Sequence, residues 1–149
     1  GPLTIYDECT HIDEWRENDN DTARQFGTSV RAGAKVLQAR GHISEYVWAN
    51  DELTMRQFVL LRGPVVIGID WVEGFYETDG QGFLQKTGAI LGGHCVIVTG
   101  YSSRRKAYRI LNSWGQDWGQ GGRAWIRQQD MAQLIEQGGE AASAIEVKL

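Results

Sequence analysis

Cysteine is scarce in this 149-residue chain, which has only Cys9 and Cys95. Small secreted scaffolds held by disulfides carry more. The pair could bridge once, but so low a count favours unpaired thiols. There is no Cys-x-x-Cys motif, and His11, His42 and His94 are far apart in sequence, so a structural zinc site is not expected. No other cofactor is expected either. No apolar run approaches the ~18–20 residues of a membrane helix, and mean hydropathy is −0.37, which argues against a membrane partner. No charged-then-apolar leader follows Gly1-Pro2. An excess of positive charge is lacking too: 15 Lys+Arg against 19 Asp+Glu give −4. Such a chain is a poor candidate for nucleic acid, and nothing in its sequence points to a local polyanion patch. Repeats and low-complexity tracts are absent.

What is present is ordinary globular composition, 42% hydrophobic and 23% charged, with 15 aromatic residues that exclude disorder. The length suits one domain. Thr4 to Glu17 carries Ile5, Cys9, Ile12 and Trp15 near one helical face. The loop Glu17 to Thr22 loosely suggests a calcium site, but the fixed glycine and closing glutamate are missing, and it reads as a solvated turn. A second helix opens at Gly27-Thr28-Ser29, presents Val30, Gly33, Ala34 and Leu37, and stops at Gly41. A third, capped by Asn50 or Asp51, carries Leu53, Phe58, Leu60 and Leu61 and ends before Gly63-Pro64. From there the texture is β, with strands expected at 65–69, 93–101, 107–112 and 123–127. A short helix, Met131 to Glu136, capped by Asp130, precedes a closing strand at 144–149. Helices first and an antiparallel sheet afterwards predict an α+β fold. The organisation expected is one domain fragment over 1–149, helical across 3–62 and β-rich across 63–149.

Two strands carry chemistry. His94 opens one, after Gly92-Gly93, and Asn112 ends another, in Asn112-Ser113-Trp114-Gly115. Neighbouring strands would bring the two side chains to one rim. An amide oxygen accepting a ring N–H fixes a histidine in one tautomer without adding charge. A nearby indole would shield that bond from water. On spacing alone, a single histidine in an apolar strand is more often a satisfied core residue.

The residues themselves say more. Gly93-His94-Cys95-Val96-Ile97-Val98-Thr99-Gly100-Tyr101, followed by Asn112-Ser113-Trp114-Gly115-Gln116-Asp117-Trp118-Gly119-Gln120-Gly121-Gly122, resembles the papain family of cysteine peptidases. Gly63-Pro64-Val65 resembles its Gly-Pro-Val strand, and the segments around Tyr6 to Trp15 and Gly27 to Ile43 resemble its left-domain helices. The resemblance implies a papain-like fold, with left-domain helices followed by an antiparallel, barrel-like right domain. It implies a peptide or protein substrate. Carried over by position, His94 is the catalytic histidine and Asn112 its orienting asparagine. Trp114 covers that pair and Trp118 stands on the leaving-group side. Gly27 and Gly93 complete the substrate-binding set, although Phe26-Gly27-Thr28 departs from the family's Gly-Gly pair.

The family's nucleophilic cysteine, and the glutamine six residues before it, would fall ahead of residue 1, and the central catalytic helix with them. Gly1-Pro2 reads as the scar of a tag-removing protease, so the chain is expected to be a piece of something longer. Cys9 sits inside a helix with no Gln-x-x-x-x-x-Cys before it. Cys95 follows His94 directly on a strand, and neighbours on a strand face opposite ways. Three readings follow: the base half of a cysteine peptidase, inactive alone; a peptide-binding pseudoenzyme; or an assembly module. The low cysteine count suggests a bacterial or phage-type branch. It also suggests a cytoplasmic protein or delivered effector rather than a disulfide-rich secreted one. Without the central helix, the Val30, Ala34 and Leu37 stripe would lack a partner, and association with a second copy is expected.

Overall fold

The computed structural model describes residues 43–146. The expected helices at 4–17 and 28–41, the 17–22 loop, Cys9, Gly27 and the stripe Val30, Ala34 and Leu37 lie outside the described residues. Within them the order is β1 (Ile43–Ala49), α1 (Glu52–Arg62), β2 (Val65–Val72), a single 3-10 turn (Glu73–Tyr76), β3 (Ile90–Ser102), β4 (Ala107–Leu111), β5 (Arg123–Arg127), α2 (Gln128–Glu136) and β6 (Glu140–Glu146). The six strands form one sheet in the order β1-β6-β2-β3-β4-β5, and every pairing between them is antiparallel. The α+β architecture read from the sequence is the one observed.

Helix α1 starts where its chemistry dictates. The Asp51 carboxylate accepts from the Thr54 backbone N–H and from the Thr54 hydroxyl, both at 2.8 Å, satisfying one of the orphan donors of the first turn. Gly63, at φ 105°, closes it, and Pro64 cannot continue it. Its inner face differs from the one expected. Met55 and Val59, four residues apart, are buried, whereas Leu53, Leu60 and Leu61 are exposed. Only Phe58 of the expected set packs against the core.

Strand β2 is buried along almost its whole length, as its run of β-branched residues requires. Its alternate residues Val65, Ile67, Ile69 and Trp71 face a core shared with Val96 and Val98 of β3, Tyr108 and Ile110 of β4, and the inner faces of α1 and α2. A smaller cluster of Val66, Cys95 and Ile97 occupies the sheet's other face.

Three boundaries depart from expectation. The segment Ile43–Ala49, read as following the end of a helix, is a strand that pairs with β6 and, among the described residues, with no other. Strand β6 begins at Glu140 rather than 144, because Ala141, Ala142 and Ser143 are small enough to be buried within the sheet. Helix α2 begins at Gln128, with Arg127 as a cap that offers no side-chain bond. Asp130 falls inside the first turn, where a carboxylate still complements the helix dipole.

Candidate active site

Strand register brings the site together. His94 pairs with Ile69 across β2 and β3, so its side chain shares the face of Ile69 and Val96. Asn112 follows β4 and lies two residues beyond Ile110, so alternation carries it to the same face. His94 Nε2 and Asn112 Oδ1 are 2.8 Å apart, and both residues are buried, with 9% and 2% of their surface exposed.

The polarity of that bond follows from a second one. Asn112 Oδ1 also accepts from the Ser113 backbone N–H at 2.8 Å. A backbone N–H only donates, so the atom facing it is the amide oxygen. An amide oxygen only accepts, so His94 Nε2 carries the proton. A neutral His94 therefore holds its lone pair on Nδ1. Asn112 Nδ2 is buried with no hydrogen-bond partner among the described residues.

The loop after Asn112 holds this arrangement in place. The Asn112 N–H donates to the Gly122 carbonyl (3.0 Å), and the Gly122 N–H donates to the Trp118 carbonyl (2.8 Å). Gly119 has φ 59°, and a Cβ there would lie 2.4 Å from the Arg123 carbonyl oxygen, which explains why this turn of the motif is built on glycine.

Around the pair stands an aromatic wall. The Trp114 ring lies 5.0 Å from that of His94, and Trp114 remains 41% exposed. Trp118 is buried, and its indole N–H donates to the Phe75 carbonyl at 3.0 Å. It supports Trp114 from 6.1 Å rather than opening to the surface. Gly93 pairs with Asp70 beside the site, and Gly27 lies outside the described residues.

Two members of the wall escaped the sequence reading. Trp71 is buried against His94 (4.7 Å), Trp114 (5.4 Å) and Phe75 (4.9 Å). Tyr76, exposed, stacks on Trp114 at 5.6 Å and 21°. An aromatic residue beside an apolar run carries no signal that separates site from core, and the strand expected at 65–69 stopped short of Trp71, which was not singled out. Tyr76 lies in a turn whose path the sequence does not disclose.

Cys95 is oriented as alternation requires. It pairs with Gly68 and packs with Val66 and Ile97 on the face away from His94. It is not the unpaired thiol that composition favoured, since it is disulfide-bonded. Composition counts cysteines but is blind to where a strand face aims one.

Residues 13–143 match the family described as papain family cysteine protease. The chain belongs to that family. A cathepsin B-like cysteine proteinase from Schistosoma japonicum is 31% identical over 49% of this chain and 22% of its own length. Fruit bromelain from Ananas comosus is 36% identical over 52% of this chain and 22% of its own. The chain thus spans between a fifth and a quarter of the length of these relatives. Among solved structures, xylellain, a cysteine protease from Xylella fastidiosa, superposes with a TM-score of 0.56 at 23% identity, covering 71% of this chain and 41% of that one. A procathepsin B from Trypanosoma congolense gives 0.56 at 17% identity, covering 71% and 37%. These likenesses establish the papain-like fold. The curated relatives are mostly eukaryotic, and the expected bacterial or phage-type branch is not shown by them.

Proposed function

We propose that this papain-family chain supplies the base half of a thiol-dependent peptide hydrolase, with His94 as general base and acid, Asn112 as its orienter and Trp114 as its cover. The observation that carries the reading is the buried 2.8 Å bond from His94 Nε2 to an Asn112 oxygen that the Ser113 N–H holds in place. It fixes the tautomer that leaves Nδ1 to exchange protons.

A cysteine from outside residues 1–149 would supply the nucleophile. Nδ1 takes the thiol proton, giving a thiolate–imidazolium pair. The thiolate attacks the substrate carbonyl, and the imidazolium returns its proton to the leaving amine as the C–N bond breaks. Water, deprotonated by the same nitrogen, then hydrolyses the acyl thioester. Asn112 is neutral, so it orients the ring without fixing a permanent charge beside it. The exposed Trp114–Tyr76 stack offers an apolar wall to the peptide beside His94.

The test joins this chain to the sequence encoded ahead of it and follows hydrolysis of a fluorogenic peptide amide. His94→Ala should abolish thiol-dependent hydrolysis, and Asn112→Ala should lower kcat about 10²-fold or more. Hydrolysis unchanged by His94→Ala would overturn the assignment. Peptide binding at this site, with no hydrolysis by the joined chain, would make it a peptide-binding pseudoenzyme instead.

A further inference from the structure

Far from His94, the same sheet gathers positive charge. Residues 104–127 hold six cations against one acid, Asp117, in a chain whose net charge is −4. None of Arg104, Arg105, Lys106, Arg109, Arg123 and Arg127 has an ion-pair partner among the described residues. The fold brings them onto one surface. Register places Arg109 opposite Trp125, Ala107 opposite Arg127 and Leu111 opposite Arg123, so Arg109, Arg123, Trp125 and Arg127 share the outer face of β4 and β5. The β3–β4 turn carries Arg104, Arg105 and Lys106 to the end of that face.

Two adjoining hollows open there. One, of about 820 Å³, is lined by Arg105, Lys106 and Arg127, by Arg56 from α1, and by polar residues including Gln81 and Gln128. The other, about 440 Å³, shares Gln81, Phe83 and Arg105 and adds Arg104. Eight residues of β3 separate His94 from Ser102 at the turn, or ~26 Å at ~3.3 Å per residue. The groove is therefore distinct from the candidate active site.

Four of its cations are held in place before any ligand arrives. The Arg105 guanidinium lies over the Trp125 ring at 4.9 Å and Arg109 over the same ring at 5.2 Å. Arg127 lies over Phe83 at 4.8 Å and Arg56 over Tyr101 at 5.0 Å. The turn itself is braced: the Arg105 N–H donates to the Ser102 hydroxyl (3.1 Å), and the Gln128 N–H donates to the Lys106 carbonyl (2.9 Å). The nearby acids do little to neutralise the patch. Glu52 is engaged by Arg56 and Tyr108, and Asp79 accepts from two backbone N–H groups and Gln85. Asp130 stands in the first turn of α2. Burial, and then the charges of Arg123 and Arg105, hold the Arg109 guanidinium below its ordinary pKa, as crowding of like charges requires.

We propose that this groove is an exosite for an acidic peptide segment of a partner protein. Guanidinium edges donate bidentately to carboxylates, and the Gln81, Gln128 and Gln129 amides can both donate to and accept from a peptide backbone. Aromatic faces occupied by guanidinium groups leave poor platforms for stacked bases, and a concave groove is ill matched to a flat lipid surface.

The test measures anisotropy of a fluorescein-labelled hexaglutamate peptide with the full chain. Binding should weaken severalfold between 50 and 200 mM salt, and at least about tenfold in Arg104→Glu/Arg105→Glu. Arg62→Glu, on α1 and outside the groove lining, should change it less than about twofold. Arg105→Gln, a milder change, should weaken binding measurably in a chain whose melting temperature is unchanged. Unlabelled hexaglutamate should displace the probe at lower concentration than a thymidine oligonucleotide or a sulfated oligosaccharide of equal charge. No binding at 50 mM salt, equal losses in Arg62→Glu and Arg104→Glu/Arg105→Glu, or tighter competition by either other polyanion would overturn the proposal.

Discussion

The Trp71 indole meets the His94 imidazole edge to face, with 4.7 Å between ring centroids. Trp114 touches both rings, at 5.4 and 5.0 Å, so histidine and two indoles form a closed triangle. Two of its members, Trp71 and His94, are buried, and Trp114 is exposed. Trp71 thus fixes the inner side of the ring while Trp114 meets solvent. The His94–Asn112 bond sits in surroundings from which water is largely excluded, and a hydrogen bond there is stronger than in water.

Asn112→Ala should destabilise the chain by about 1–3 kcal/mol, because it removes the oxygen that accepts from both His94 Nε2 and the Ser113 N–H in a buried place. Asn112→Asp keeps an acceptor for both donors and should cost less. Urea unfolding of the two variants checks the order. Equal losses would mean that packing of the side chain, and not its acceptor oxygen, is what matters.

Acid should weaken the start of α1. The hydrogen bonds from the Thr54 N–H and then from its hydroxyl lower the Asp51 pKa below its ordinary 3.8. A carboxyl whose folded pKa is depressed adds stability above the unfolded value and loses it as pH falls through the folded one. Asp51→Asn keeps a capping oxygen but cannot ionise. The wild-type chain should therefore melt higher than Asp51→Asn at pH 7, and the gap should close below the ordinary carboxylate range. Thermal melts from pH 7 to pH 2 show whether it does.

The site was more legible in the sequence than the fold around it, for a physical reason. A bonded histidine–asparagine pair needs particular chemical groups at strand ends, and the glycines of the Asn112–Gly122 loop are needed by its backbone, so both leave marks in the order of residues. Alternation likewise placed Cys95 opposite to His94, but said nothing of what its sulfur would meet. The inner face of α1 was misread because Leu53, Leu60 and Leu61 outweigh Met55 and Val59 in bulk, while the direction of the helix axis decides which are buried. Strand β1 was missed because pairing with β6, a hundred residues later, is what makes it a strand. The basic groove was missed because a net charge of −4 over the whole chain hides the six cations of 104–127, and because only the fold brings a turn, two strands and a helix to one surface.

Cys95 should resist alkylation until it is reduced. Its sulfur is disulfide-bonded and fully buried, so iodoacetamide under denaturing, non-reducing conditions should leave it unmodified. Reduction first should then allow one carbamidomethyl group on the peptide that contains it. Peptide mass mapping that finds Cys95 alkylated without reduction would refute the bridge.

Two Trp→Phe substitutions should separate a tryptophan held by packing from one held by a hydrogen bond. Trp71 and Trp118 are both buried in the same aromatic cluster. The Trp71 indole N–H has no hydrogen-bond partner among the described residues, whereas that of Trp118 donates to the Phe75 carbonyl at 3.0 Å. Trp→Phe removes the same atoms in each case, so the lost packing is similar and the difference isolates the N–H. At position 71 the change also removes a buried donor whose desolvation is uncompensated. At position 118 it leaves the Phe75 carbonyl without the N–H that donates to it. Trp118→Phe should therefore cost about 1–2 kcal/mol more than Trp71→Phe in denaturant unfolding. Trp71→Ala, which empties the space beside His94, should cost about 3–5 kcal/mol. If Trp71→Phe proves the more damaging of the two Phe variants, the Trp71 indole must be held by a polar contact that its present surroundings do not show.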